Sequence, residues 1–336
     1  MVRNAYKNAP LHLEKIGKRT TVEEIPTLLE LSEYHLAEFA ELAAIGQHSK
    51  ATLRQWRSSQ RKLKEFISFE FKCSDLLLSE IEFSFAQKLF RYLTIKRLKK
   101  LKAAAANKQI KNAKKLLNLA EANGWLLKNP IEKYRCKGDE AEIPPLEMEE
   151  VGAIWKKKID ILRLDKVRDA FVFQCFTGFA YQDIYALTPQ HIKKHGVERE
   201  RWLVNKERGK TKVTEMVPVL PIVDEIIDKY KDDPYCRFKN SLLPVNSNAK
   251  YNTYLKELAD ICGIGRELNT HLACHTFADI MLNVLEFPLE DVSKMLGHKS
   301  IRTTQRYARV KKRRIGNRMN AVKGLLFQAD GQLKDF

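Results

Sequence analysis

No apolar run in this chain approaches the roughly 20 residues that a helix needs to cross a bilayer. Residues 1–10 are basic and polar and lack the apolar centre of a secretory signal. Cytoplasmic residence is therefore the expectation. Cysteine is sparse too: Cys73, Cys136, Cys175, Cys236, Cys262 and Cys274 include no Cys-x-x-Cys pair. Neither a disulfide framework nor a zinc site follows from such spacing, and the thiols read as reduced and mostly buried. No internal repeat is present, and no acidic cluster suited to magnesium. Acid is in deficit overall, with 42 Asp and Glu against 60 Lys and Arg, a formal charge of +18. That excess attracts polyanions, of which nucleic acid is the commonest in a cytoplasm. A ribosome-associated or merely solubilising surface is the alternative.

What remains is an ordinary globular composition, 44% hydrophobic and 30% charged over 336 residues, enough for two domains with separate cores. Residues 1–30 read as a basic arm. An amphipathic helix is expected over 30–44, with Leu36, Phe39, Leu42 and Ala43 on one face and Gly46 ending it. Ser49 suits the N-cap of a second helix, in which Leu53, Trp56, Leu63 and Phe66 recur at the spacing of a buried face. Phe85, Leu89 and Leu93 begin a third helix that runs on into Lys96–Lys102. A fourth spans 106–122, burying Ile110, Ala113, Leu117 and Ala120, with Asn123-Gly124 as its stop. Lys108, Lys111, Lys114 and Lys115 lie largely off that face; they suit phosphate contacts, or simply a solvated helix face.

The organisation expected is a helical domain with a cationic surface over 31–136, a linker over 137–145 ending in Pro144-Pro145, a second domain over 146–318 and a C-terminal segment over 319–336. The second domain mixes helices, near 221–231, 248–262, 271–286, 289–296 and 301–318, with a hairpin. Trp202–Val204 and Val213–Leu220 are its strands, joined by a basic turn around Gly209. The fold class expected is mainly α with a small β component.

Four short segments carry the chemistry: FQCFTGFAYQDIYAL at 173–187, Arg208-Gly209-Lys210-Thr211, HLACHTF at 271–277, and LGHKSIRTTQRY at 296–307. The last is the most specific, placing Tyr307 nine residues after His298. In order, the four resemble the tyrosine recombinase (phage integrase) family, over the whole second domain, and the first domain resembles that family's SAM-like core-binding domain.

The resemblance implies a mixed α+β catalytic domain, and a pair of domains clamping duplex DNA at recombination sites. It implies site-specific integration or excision of mobile-element DNA. Tyr307 matches the nucleophile, which attacks a phosphodiester, releases a 5′-hydroxyl and conserves the bond energy in a 3′-phosphotyrosine. Neither cofactor nor metal is called for. His298 matches the hydrogen-bond donor to the non-bridging oxygen, and His271 the histidine that orients the phosphate and takes the tyrosine proton. Lys210 matches the lysine that protonates the leaving oxygen. His275 matches a packing position. Arg208 is a further candidate DNA contact. A homotetramer on DNA, joined through the C-terminal segment, is implied, as are accessory DNA-bending or directionality proteins; a segment packing back on its own domain is the alternative.

Two positions depart from the family. Ala180 stands where an arginine follows Thr-Gly-x, although some branches, integrases of conjugative transposons among them, also carry Thr-Gly-x-Ala-Tyr. Cys274 stands three residues after His271, where a second arginine belongs. A thiol cannot make the bidentate phosphate contact of a guanidinium. Removing one such donor typically costs about a hundredfold to a thousandfold in rate. Arg168, upstream in the same helical segment, is a candidate substitute if the chain bends; Arg266 and Arg306 are others that match no family position. A catalytically impaired relative that only binds recombination-site DNA therefore stays open. So do an RNA- or ribosome-binding protein and a relaxing topoisomerase.

Overall fold

The computed structural model describes residues 25–136, 144–197, 199–205, 213–307, 312–328 and 330–334. The chain divides into two units between residues 141 and 142, each with its own apolar core. Most of the expected arm and most of the expected linker lie outside the described residues.

The first unit is helical. Helix α1 (Leu28–Ala44) starts at Thr27, whose backbone N–H donates to the Glu30 carboxylate at 2.8 Å. Asp75 secures the same end, accepting from Thr27 Oγ1 and from the Leu29 N–H. In α1 Leu28, Leu29, Leu31 and Ala43 are buried, whereas Leu36, Phe39 and Leu42 stay half-buried, with Leu36 and Phe39 packed against the core. The expected face therefore packs in part, and the deepest leucines lie at the N-terminal end of the helix. In α2 (Lys50–Glu70) Ser49 caps as expected, accepting from the Ala51 N–H at 3.1 Å. Trp56, Leu63 and Phe66 are buried there. Helix α3 (Ser84–Arg91) does not continue to Lys102. It passes into one π turn, Tyr92–Lys96, closed by the Arg97 N–H on the Tyr92 carbonyl, while Arg97 Nε pairs with Glu65. Helix α4 (Ala103–Ala122) buries the four apolar residues expected of it and stops where Gly124 takes φ 76°.

The second unit comprises α5 (Met148–Lys156), α6 (Leu162–Thr177), α7 (Tyr181–Ala186), strands β1 (Ile192–His195), β2 (Glu200–Asn205) and β3 (Glu215–Pro218), then α8 (Pro221–Tyr230), α9 (Pro234–Lys239), α10 (Asn248–Ile261), α11 (Thr270–Asp279), α12 (Leu289–Met295), α13 (Ile301–Gln305) and α14 (Lys312–Leu326). The strands form one antiparallel sheet in chain order, with buried Leu203 opposite Val217. The first strand, Ile-Lys-Lys-His, carries few β-formers and was not expected. Helix α6 is buried on nearly every side and packs against α5, α8, α10 and α11. No described helix is long and apolar enough to cross a membrane.

Gly178 ties α6 to the rest of this unit. It ends α6 at φ 73°, and a Cβ there would lie 2.5 Å from Phe277 Cδ1 on α11 and 2.7 Å from Leu296 Cδ2 at the end of α12. Only glycine meets both demands. The close approach draws the ends of α6 and α12 onto α11.

Candidate active site

Helix α11 presents the first two imidazoles. The Asn269 side chain caps it, accepting from the His271 and Leu272 N–H groups at 3.0 Å each. His271 and His275 are one turn apart and share a face, with ring centroids 4.6 Å apart and planes at 89°. The ring of Tyr307 meets His275 edge to face, at 4.7 Å and 81°. His298 follows Gly297, whose φ of 57° turns the chain out of α12. Its Nδ1 lies 2.8 Å from the Thr304 hydroxyl of α13, and its ring lies nearly parallel to Tyr307, at 6.2 Å and 9°. Four residues from three chain segments therefore converge: His271, His275, His298 and Tyr307. His275 is half-buried, and burial, with the neighbouring His271 adding to it, pushes its pKa down to about 4. It is neutral at neutral pH.

His275 packs, as its match implies, but against His271 and Tyr307. Its match to a packing position did not foretell a ring wedged between two candidate catalytic groups. The i, i+4 spacing from His271 was the available signal.

The second departed position packs against the chain next to the first. Cys274 is buried, its Sγ 3.8 Å from the carbonyl of Phe179, the residue before Ala180. Burial, together with Cys274, raises the pKa of Cys175 well above the usual thiol value. Neither thiol supplies positive charge. Arg168 does not replace the missing guanidiniums. It is buried at the α5 side of α6, with Nε and Nη2 on Asp169, Nη2 also on Asp165, and Nη1 on the Lys157 carbonyl. Asp169 in turn accepts from Lys229 and the Tyr230 hydroxyl, at 2.6 and 2.7 Å. Pulling Arg168 away would cost the buried Asp169 carboxylate one of its charged partners. Arg266 is spent likewise, on the Pro144 and Pro145 carbonyls and Glu150. Arg306 is exposed beside Tyr307. Lys210 and Arg208 lie outside the described residues.

On the first unit, Lys114 turns out to be a clamp, donating to the carbonyls of Glu132 and Tyr134. Lys108 is exposed and donates to Gln55 of α2 at 2.8 Å; Lys111 and Lys115 are exposed. A larger cationic feature lies on α2. Lys50, Arg54, Arg57, Arg61 and Lys64 recur at i, i+4, i+7, i+11 and i+14, all exposed. They make one stripe about 21 Å long. Among the described residues none of the five has a carboxylate partner. Among the described residues, too, no group of three or more His, Cys, Asp or Glu is arranged to hold a metal ion.

Comparison with known proteins bears on this geometry. The phage integrase SAM-like domain matches residues 27–136, and the phage integrase family matches 165–314. The chain belongs to the tyrosine recombinase (phage integrase) family. Its two units are thus a SAM-like domain and an integrase catalytic domain. Among curated recombinases, Tyrosine recombinase XerC of Rickettsia canadensis is 28% identical over 140 residues, 40% of this chain and 43% of the relative. The match thus spans less than half the length of that relative. Among solved recombinase structures, a lambda integrase dimer bound to a COC′ core site shares 18% identity at a TM-score of 0.63, covering 86% of this chain and 79% of that one. The Tn1549 transposon integrase in complex with circular intermediate DNA shares 16% at 0.63, covering 88% and 100%. XerH site-specific recombinase bound to palindromic difH substrate shares 17% at 0.58, covering 87% and 94%. At such identities the likeness is one of fold.

Proposed function

We propose that this recombinase-family chain binds duplex DNA at recombination sites and exchanges strands through Tyr307. The phenol oxygen attacks the scissile phosphorus, the 5′-oxygen leaves with a proton from Lys210, and the strand is held as a 3′-phosphotyrosine. A 5′-hydroxyl then attacks that phosphorus and frees the tyrosine, so neither external energy nor metal enters the balance. His271 accepts the phenol proton, and His298, fixed through Thr304, donates to the non-bridging oxygen, where charge grows in the transition state. The observation that carries this reading is the convergence of Tyr307 with the imidazoles. The α2 stripe, with Lys108, Lys111 and Lys115, supplies sequence-independent phosphate contacts. Helix α14 leaves Ile315, Met319, Val322 and Leu325 exposed, an apolar face suited to docking on a neighbouring subunit of a tetramer.

A second reading is favoured by one observation. Cys274 is buried against a carbonyl where a guanidinium would serve the phosphate, so the protein occupies sites and cleaves them slowly or not at all. Nicked suicide duplexes, selected by the protein from a randomised pool, separate the two. A covalent adduct that vanishes in Tyr307→Phe establishes the enzyme. Tight binding without adduct, converted to adduct by Cys274→Arg, establishes the impaired form. In an active chain the same substitution raises the adduct rate by about a hundredfold to a thousandfold. Failure to prefer duplex DNA over RNA would refute both.

A further inference from the structure

Tyr307 follows the short helix α13, its backbone N–H donating to the Thr304 carbonyl at 2.9 Å. Small displacements of a reacting oxygen are costly, so the groups packed against the ring of a nucleophile bear on its rate. His275 is on the central helix α11, whose next residue, Thr276, is fully buried. It meets Tyr307 at 4.7 Å and 81° on one side and His271 at 4.6 Å and 89° on the other. Both contacts have the edge-to-face geometry that aromatic rings prefer.

We propose that His275 is a positioning residue: its ring, wedged between His271 and Tyr307, sets the orientation in which the phenol meets the phosphate. The proposal rests on the recombinase reading above and assigns to that site a residue acting through Tyr307 rather than on the substrate. Two further observations agree with it. His275 adjoins buried Cys274 in the chain yet shares the face of His271, and the candidate nucleophile packs on that face through it. Being uncharged at neutral pH, it can press on His271 without like-charge repulsion.

The test uses the full chain labelled with 13Cε-tyrosine, the Tyr307 signal being assigned by its loss in Tyr307→Phe. His275→Ala is expected to move that signal toward the position of a freely rotating tyrosine. In single-turnover reactions on nicked duplex, run in the chain and in its Cys274→Arg form, it should slow adduct formation about ten- to a hundredfold. The duplex Kd should stay unchanged. His275→Phe, which keeps a ring without its nitrogens, should restore both the signal and the rate. If alanine prevents folding, His275→Leu keeps the volume without the ring and takes its place. A Tyr307 signal indifferent to losing the ring overturns the proposal, and so does a phenylalanine variant as defective as alanine. A signal that responds as expected while no background forms an adduct supports the positioning role and refutes the recombinase reading.

Discussion

At the scale of single residues, Gly178 and Cys274 show two kinds of constraint at one site. Gly178 is irreplaceable on packing grounds, since a methyl group would meet Phe277 and Leu296 well inside contact distance and its φ is positive. Gly178→Ala is expected to destabilise the second unit by about 2–4 kcal/mol, combining overpacking with backbone strain, measured by denaturant unfolding. Cys274 instead fits its space and lacks the chemistry. The histidines and the tyrosine were legible in the sequence because their spacings are local: three residues, four, nine. The fates of Arg168 and Arg266 were not. Arg266 is held by two prolines adjacent to it only in the folded chain, and the carboxylates that hold Arg168, although its neighbours on α6, are fixed in turn by Lys229 and Tyr230 from α8.

At the scale of elements, the apolar period located most helices, because a buried face is written into the chain at every third or fourth residue. It failed where another interaction ended an element. The π turn after α3 is set by Arg97 reaching Glu65 from a different helix, and β1 pairs through its backbone despite two lysines. The cationic stripe of α2 obeys the same period and emerges once Trp56, Leu63 and Phe66 define the opposite, buried face. Replacing Arg54, Arg57 and Arg61 together by glutamine should weaken duplex binding and flatten the log–log salt dependence by a slope of about 2–3. Lys114→Gln should leave that slope unchanged and lower thermal stability, since its ammonium holds two carbonyls rather than phosphate. Fluorescence anisotropy across a salt series measures the first effect, and a thermal melt the second.

At the scale of the whole molecule, each unit contains an imidazole whose pKa folding lowers. In the first it is His35, edge-on to Trp56 at 4.4 Å, its buried Nε2 without a hydrogen bond among the described residues. Burial lowers its pKa, Lys115 and His48 adding to the effect and Glu38 opposing it. In the second it is His275, lowered to about 4. A group whose native pKa lies below its unfolded value, about 6.5 for histidine, binds more protons when unfolded. Both units therefore lose stability as pH falls below about 6.5, with the His275 share exhausted near 4. The depressed carboxylates, Glu30 in the first unit and Asp233 in the second, keep their stabilising effect through the imidazole window and lose it only as pH falls through the ordinary carboxylate range and below. Because the chain carries a formal +18 at neutral pH, each added proton also increases self-repulsion. Thermal melts from pH 7.5 to 4.5 should thus show a falling midpoint that begins in the imidazole window. The contribution of His275 should be about 1–2 kcal/mol once its partial exposure is discounted. His275→Phe should flatten the curve for the second unit alone and His35→Phe for the first alone. A midpoint that holds steady down to pH 5 would mean that neither imidazole is desolvated by folding.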